Sequence, residues 1–206
     1  MYNPLHFKKD LSLSGKKILK FNHKQYTGGK IELPINASSC CGMFSWVTIP
    51  KDLYFGRMFD TKNIVDMNLM FAGSVLPADF NLGDYFNTSN VKDMNYMFYE
   101  CSLPSRFVFG DKFDTSKVER MEYMFSGCKM SKHIKLPPQF STVNVKKMSH
   151  MFYECNFNGD FEFGDSFVIG ENADIDHIFY DCYIRDEKIN NWYAEDIEHV
   201  KELLKK

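Results

Sequence analysis

Apolar residues along this chain return at a fixed interval of 27 positions instead of gathering into long amphipathic runs. A Met-Phe pair stands at Met43-Phe44, Met70-Phe71, Met97-Phe98, Met124-Phe125 and Met151-Phe152, and continues as Ile178-Phe179. Three residues before each pair come Cys40, Met67, Met94, Met121, Met148 and Ile175, and three further back Ile64, Val91, Val118 and Val145. Apolar residues at three-residue steps, closing on an adjacent apolar pair, predict a short helix or helical turn that buries one side. Thr61, Thr88, Thr115 and Thr142 precede these segments as expected N-caps, and Ser116 with Glu119 has capping-box spacing.

The rest of each copy alternates. Leu53-Tyr54-Phe55, Phe80-Asn81-Leu82, Phe107-Val108-Phe109, Ile134-Lys135-Leu136 and Phe161-Glu162-Phe163 are apolar-variable-apolar triplets, followed by Gly56, Gly83, Gly110, Pro137 and Gly164. Period two predicts a short strand with one buried face, ended by a turn. One such strand and one helical turn cannot bury a face alone. Stacked on its neighbours each unit can, so self-similarity at this period predicts a solenoid.

The run FDTSKVERMEYMFSGC, with FNTSNVKDMNYMFYEC and FDTKNIVDMNLMFAGS, resembles the BspA-like leucine-rich repeats, also described in mycoplasmas as PARCEL repeats. The resemblance covers about residues 50 to 182. It implies an α/β, leucine-rich-repeat-like solenoid, with a parallel sheet of short strands on one side and short helical turns on the other. It also implies an adhesive or interaction role without catalytic residues, often on a bacterial surface. The outer copies depart from the motif at Cys40, Val47, Ile169 and Asn172, as expected of capping repeats.

Three segments are expected. Residues 1–36 form an N-terminal cap, with two short strands around Gly28-Gly29 as a hairpin over the open edge. Residues 37–182 carry about five to six repeats, and residues 183–206 form a C-terminal capping helix in which Ile197, Val200, Leu203 and Leu204 share one face. The lysines Lys8, Lys9, Lys16, Lys17, Lys20 and Lys24 read as a solvated cap face.

A chain of 206 residues that is 44% hydrophobic, with 20 Phe, is not disordered, and a net charge of −2 offers no footprint for nucleic acid. No stretch approaches the roughly 20 apolar residues of a membrane helix, and residues 1–24 lack a signal-peptide core. The expected location is the cytoplasm of the producing or host cell, or outside the cell if a signal sequence was removed.

Candidate chemistry reduces mostly to packing. Cys101, Cys128, Cys155 and Cys182 share one column, with Val47 and Ser74 as its first members, and read as stacked free thiols rather than disulfides or metal ligands. His150 and His177 share a column with Tyr96 and Tyr123, where aromatic and imidazole rings interchange as half-buried packing. Asp84, Asp111 and Asp165, with Asp60, Asn87 and Asp114, sit at turns, where Asx side chains bond their own backbone more readily than they gather calcium. No catalytic residue, metal or cofactor is assigned, and no small-molecule substrate is expected.

Constant columns build the core and leave the variable ones to specify a partner. The outward positions beside and within the triplets are Asp79, Asn81, Arg106, Val108, His133, Lys135, Asp160 and Glu162, and Tyr85 and Lys112 extend the same face past the glycines. These are the candidate partner-binding residues. They run from acidic through basic to acidic, a pattern able to set register on a charged protein. The expected function is a non-enzymatic protein-protein interaction module. One form is an inhibitor of an intracellular complex, as in phage or mobile-element anti-defence; the alternatives are a surface adhesin fragment and an enzyme with an unrecognised site.

Overall fold

Each Met-Phe segment solves two demands at once: its apolar side chains must enter the core, and its backbone must join the coil before and after it. In residues 67–74 the amides of Met70, Ala72 and Ser74 donate to the carbonyls of Met67, Leu69 and Phe71, each at 3.1 Å, giving overlapping four-residue turns. The intervening amides of Met67, Leu69, Phe71 and Gly73 donate to Asp93, Asn95, Met97 and Tyr99 of the next coil at 2.9, 2.9, 2.9 and 2.6 Å. In an α-helix the amides past the first turn would all be spent inside the segment. Leu69 and Gly73 lie at φ 58° and 63°, as the third residue of a type II turn requires.

The expected helical turns are therefore replaced by a ribbon of turns that pairs sideways as a strand does. No helix occurs among the described residues. Overlapping turns and a helix share a step of about three, so the buried side chains match the expectation while the backbone does not. The threonines do not cap helices either. Buried Thr61, Thr88 and Thr115 donate their hydroxyls to the carbonyls of Asn87, Asp114 and Ser141 in the next coil at 2.8, 2.7 and 2.7 Å. The capping box is not made. Ser116 donates its amide to Asp114 at 2.8 Å, and Glu119 turns outward to Lys146 at 2.7 Å.

The structure, a computed structural model, describes residues 21, 29–31, 33, 36–57, 59–130, 134–157, 162–184 and 187–189. Among the described residues there are seven short strands: β1 (Gly29–Lys30), β2 (Leu53–Tyr54), β3 (Ser102–Leu103), β4 (Lys129–Met130), β5 (Asn156–Phe157), β6 (Cys182–Ile184) and β7 (Glu187–Ile189). β3 to β6 pair in parallel with a shift of one repeat, and bridges Thr48↔Val75 and Val75↔Ser102 extend the ladder toward the N-terminal side. A second parallel ladder runs through Ser39, Asp66, Asp93, Arg120, Lys147 and Asp174.

The triplets take part more sparsely, through β2 and the bridges Asn81↔Val108 and Lys135↔Glu162. The longest ladder instead follows the Cys column, at a place where no strand is expected. Its signal was a further column, Ile49, Leu76, Leu103, Met130, Phe157 and Ile184, two residues after Val47, Ser74 and the cysteines. Two ends also differ from expectation. Gly29 lies in β1, which pairs in parallel with β2 rather than turning a hairpin. β6 and β7 form an antiparallel pair at the other end. The lysine cluster and the C-terminal helix positions Ile197 to Leu204 lie outside the described residues.

The core between the ladders is a stack of rings. Phe44, Phe71, Phe98, Phe125, Phe152 and Phe179 lie one above another with centroids 5.1 to 5.6 Å apart and planes within 7°. Each is fully buried, and each such burial contributes about 2 to 3 kcal/mol. Beside them Cys128, Cys155 and Cys182 donate S–H to the carbonyls of Phe98, Phe125 and Phe152 at 2.7, 2.8 and 2.6 Å. Ser74 makes the same bond to Phe44 at 2.6 Å, which explains why serine can stand in that column.

Candidate interaction surface

With the constant columns inside, chemistry is left to three outer faces. The strand-side face holds the sequence-derived candidates. Asp79, Asn81, Tyr85, Arg106, Val108, Lys112, Lys135 and Glu162 are all exposed, while His133 and Asp160 lie outside the described residues. Asn81 is bridged to Val108, and Lys135 to Glu162. The Lys135 ammonium also meets the Glu162 carboxylate at 2.6 Å, which raises the lysine's pKa. Lys112 sits 5.8 Å above the ring of Tyr85, a cation–π arrangement. Apolar groups remain in water here, with Tyr54 48%, Val108 60% and Tyr85 38% exposed.

A second face carries charges that stitch coil to coil. Glu119 lies between Lys92 and Lys146 at 3.8 and 2.7 Å, and Arg120 pairs with Asp93. Lys146 holds the Glu119 carboxyl below its ordinary pKa. These pairs were missed from sequence, although opposite charges one repeat apart were there to be read. Of the turn Asx residues, Asp60, Asn87 and Asp114 behave as expected, accepting the amides of Lys62, Ser89 and Ser116 at 3.0, 2.9 and 2.8 Å.

The third face is the outside of the turn ribbons. Tyr96, Tyr123, His150 and His177 form one column of nearly parallel rings, with successive centroids 4.8, 4.6 and 5.0 Å apart. All four hold φ between 54° and 56°, a region that bulky residues rarely adopt. Tyr99, Tyr153 and Tyr180 flank them. Glu100 and Glu154 accept hydrogen bonds from Tyr99 and Tyr153, pushing Tyr99 up to about 12 and Tyr153 upward. Residues 67–73, 94–100, 121–127, 148–154 and 175–181 contain five carboxylates and no lysine or arginine, so this face is aromatic and acidic.

The thiols are unsuited to nucleophilic work. Cys101, Cys128, Cys155 and Cys182 are free thiols, and burial pushes Cys101 and Cys182 up to about 12 and raises Cys128 and Cys155 well above the usual range. Such thiols stay protonated at neutral pH. Among the described residues no helix is long and apolar enough to cross a membrane.

Stacked parallel coils, a repeat-coded core and variable outer columns define a repeat protein of solenoid-like build. Two overlapping stretches of this chain, residues 57–131 and 109–206, match the family described as "Mycoplasma protein of unknown function, DUF285". The chain belongs to that family. No curated protein and no solved structure matches it.

Proposed function

We propose that this chain is a non-enzymatic interaction module, akin to the BspA-like repeat proteins, that presents a fixed outer surface to a protein partner. The observation that carries this reading is the division of the columns. Among the described residues the repeated apolar columns are buried but for the partly buried Val47 and Ile175, whereas the strand-side column runs Tyr54, Asn81, Val108, Lys135, Glu162 with all five exposed. Coil-to-coil hydrogen bonds along the turn ribbons hold the coils in register, so the side chains of that column meet a partner with little backbone ordering to offset. Exposed aromatic and aliphatic groups beside Arg106, Lys112 and Lys135 are of the kind that anchor protein interfaces. Blocking an intracellular complex is one use of such a surface, and adhesion outside the cell is another.

The test is capture of partners from the native cell by the immobilised chain, against a variant carrying Arg106→Glu, Val108→Asp and Lys112→Glu. Loss of a stoichiometric partner with an unchanged unfolding curve supports the strand-side face. Equal capture by the variant removes that face from the reading. Binding confined to host-cell surface or matrix proteins assigns the adhesive role, and turnover of a small molecule refutes the non-enzymatic reading.

A further inference from the structure

One end of the ring column differs from the rest in its chemistry. The column begins with side chains that cannot ligate a metal through nitrogen, namely Leu69, Tyr96 and Tyr123, and then places two imidazoles on successive coils at His150 and His177. The position before each ring reads Asn68, Asn95, Glu122, Ser149 and Asp176, so the last copy alone sets a carboxylate directly beside an imidazole. Coil stacking brings the three groups together: ligand atoms of His150, Asp176 and His177 all lie within 4.8 Å of one another. Asp176 Oδ1 is 2.7 Å from His177 Nδ1. His150 Nδ1 is buried and has no hydrogen-bond partner.

We propose that His150, His177 and Asp176 bind one divalent transition-metal ion of the zinc, nickel or copper class. Two imidazole nitrogens and one carboxylate oxygen are the donor set those ions favour, whereas calcium and magnesium ask for oxygen alone. Bonds of about 2.0 to 2.2 Å in a tetrahedral arrangement place donors roughly 3.3 Å apart. The more distant donors must therefore draw in by up to about 1.5 Å, while Asp176 and His177, at 2.7 Å, move slightly apart. Ring and carboxylate rotation supplies this, since the Asp176 side chain is 60% exposed and both imidazoles are half-buried, with His177 22% exposed. Three protein ligands leave at least one position for water or for a partner's side chain, so the site suits a metal shared across an interface. That last use rests on the interaction reading above; the ion binding does not.

Stacking alone is the competing explanation for the two histidines, and Tyr96 on Tyr123 proves that a ring pair needs no metal. His150→Tyr separates the two, because tyrosine already occupies that position in the two preceding coils and preserves the stack while removing the nitrogen. The full chain, stripped with chelator, is titrated with zinc or nickel chloride alone by calorimetry, and the zinc form is examined by X-ray absorption. One ion per chain and two imidazole ligands are expected. H150Y and H177Y should each weaken binding at least tenfold, since even outer-shell losses cost about that much, with metal-free melting unchanged. Asp176→Asn, at an exposed position, serves the same purpose if either tyrosine variant fails to fold. Absence of saturable one-to-one uptake, or equal affinity in H150Y, H177Y and D176N, overturns the site and assigns any bound ion to the other histidines.

Discussion

The turn ribbon and the triplet half of each coil solve the same stacking problem with different amounts of backbone. In the ribbon, alternate amides bond within the coil and the others bond to the next coil, so the segment from Met94 to Glu100 places four amides on its neighbour. In the triplet half, contact between coils narrows to single bridges such as Asn81↔Val108 and Lys135↔Glu162. Side chains follow suit. Met, Phe and Cys repeat almost without change in the ribbon, while the exposed triplet position runs through Tyr, Asn, Val, Lys and Glu. A densely bonded backbone needs identical side chains to keep register, and a sparsely bonded one leaves its outward positions free for recognition.

The most severe way to break the ribbon is to remove a ring from its centre. Phe125 lies between Phe98 and Phe152 at 5.6 and 5.4 Å and is fully buried. Phe125→Ala is expected to cost about 3 to 5 kcal/mol, read from urea unfolding. Val108→Ala, on the exposed side of the triplet, should stay within about 0.5 kcal/mol. Comparable losses at the two sites would mean that the coils are not joined chiefly through the ribbon.

Backbone strain offers a smaller, signed test. One ribbon column at positive φ alternates Gly73, Glu100, Gly127, Glu154, with φ of 63°, 50°, 65° and 55°. A Cβ at Gly127 would also come within 3.1 Å of the Glu100 side chain. Gly127→Ala should therefore destabilise by about 1 to 2 kcal/mol, the cost of the left-handed region for a side-chain-bearing residue. Glu154→Gly should stabilise by about 0.5 to 1 kcal/mol, because the gain is partly offset by a freer unfolded chain. Paired thermal melts with opposite signs are the expected result.

That column also explains what was legible beforehand. Which residues are buried could be read from the repeat, because Phe, Met, Val and Thr columns carry their burial in their chemistry. The backbone linking them could not be read from spacing, since a helix and a run of overlapping turns share a step of three. Gly73 and Gly127 were the discriminating signal: glycine recurring one residue before the Cys column marks a position at positive φ, which no helix interior requires. Asn81, Val108, Lys135 and Glu162 were legible as exposed residues because period-two alternation names the outward position directly. The grouping of His150, Asp176 and His177 was hidden, since it needs the ring column and the preceding column to converge at one end of the stack. Ion pairs such as Lys92 with Glu119 were readable only once residues one repeat apart are known to touch.

Substituting the thiol column probes the ribbon more gently. Cys128→Ser keeps a donor to the Phe98 carbonyl, the bond that Ser74 already makes to Phe44 at 2.6 Å. A cost of about 1 kcal/mol or less is expected, in the range of a single exchanged hydrogen bond. Cys128→Ala loses that donor and leaves the Phe98 carbonyl with the Cys101 amide alone, at 3.0 Å, so it should be the more damaging of the two in the same urea titration.

The smallest effect expected is a change in pH dependence with no change of fold. Burial, reinforced by the charge of His177, holds His150 below its ordinary pKa of 6.5, against the opposing pull of Asp176 and Asp174. In the folded state the imidazole therefore binds its proton less readily than in the unfolded chain. Stability from this source is complete above the unfolded pKa and is lost as pH falls through 6.5 toward the lower folded value. His150→Tyr removes the titrating group and keeps the ring. Metal-free wild-type protein should accordingly lose more stability than H150Y between neutral pH and pH 5, while the two run parallel above pH 7. Parallel curves throughout would show that the ribbon face tolerates a charged imidazole as easily as the strand-side face tolerates Lys135.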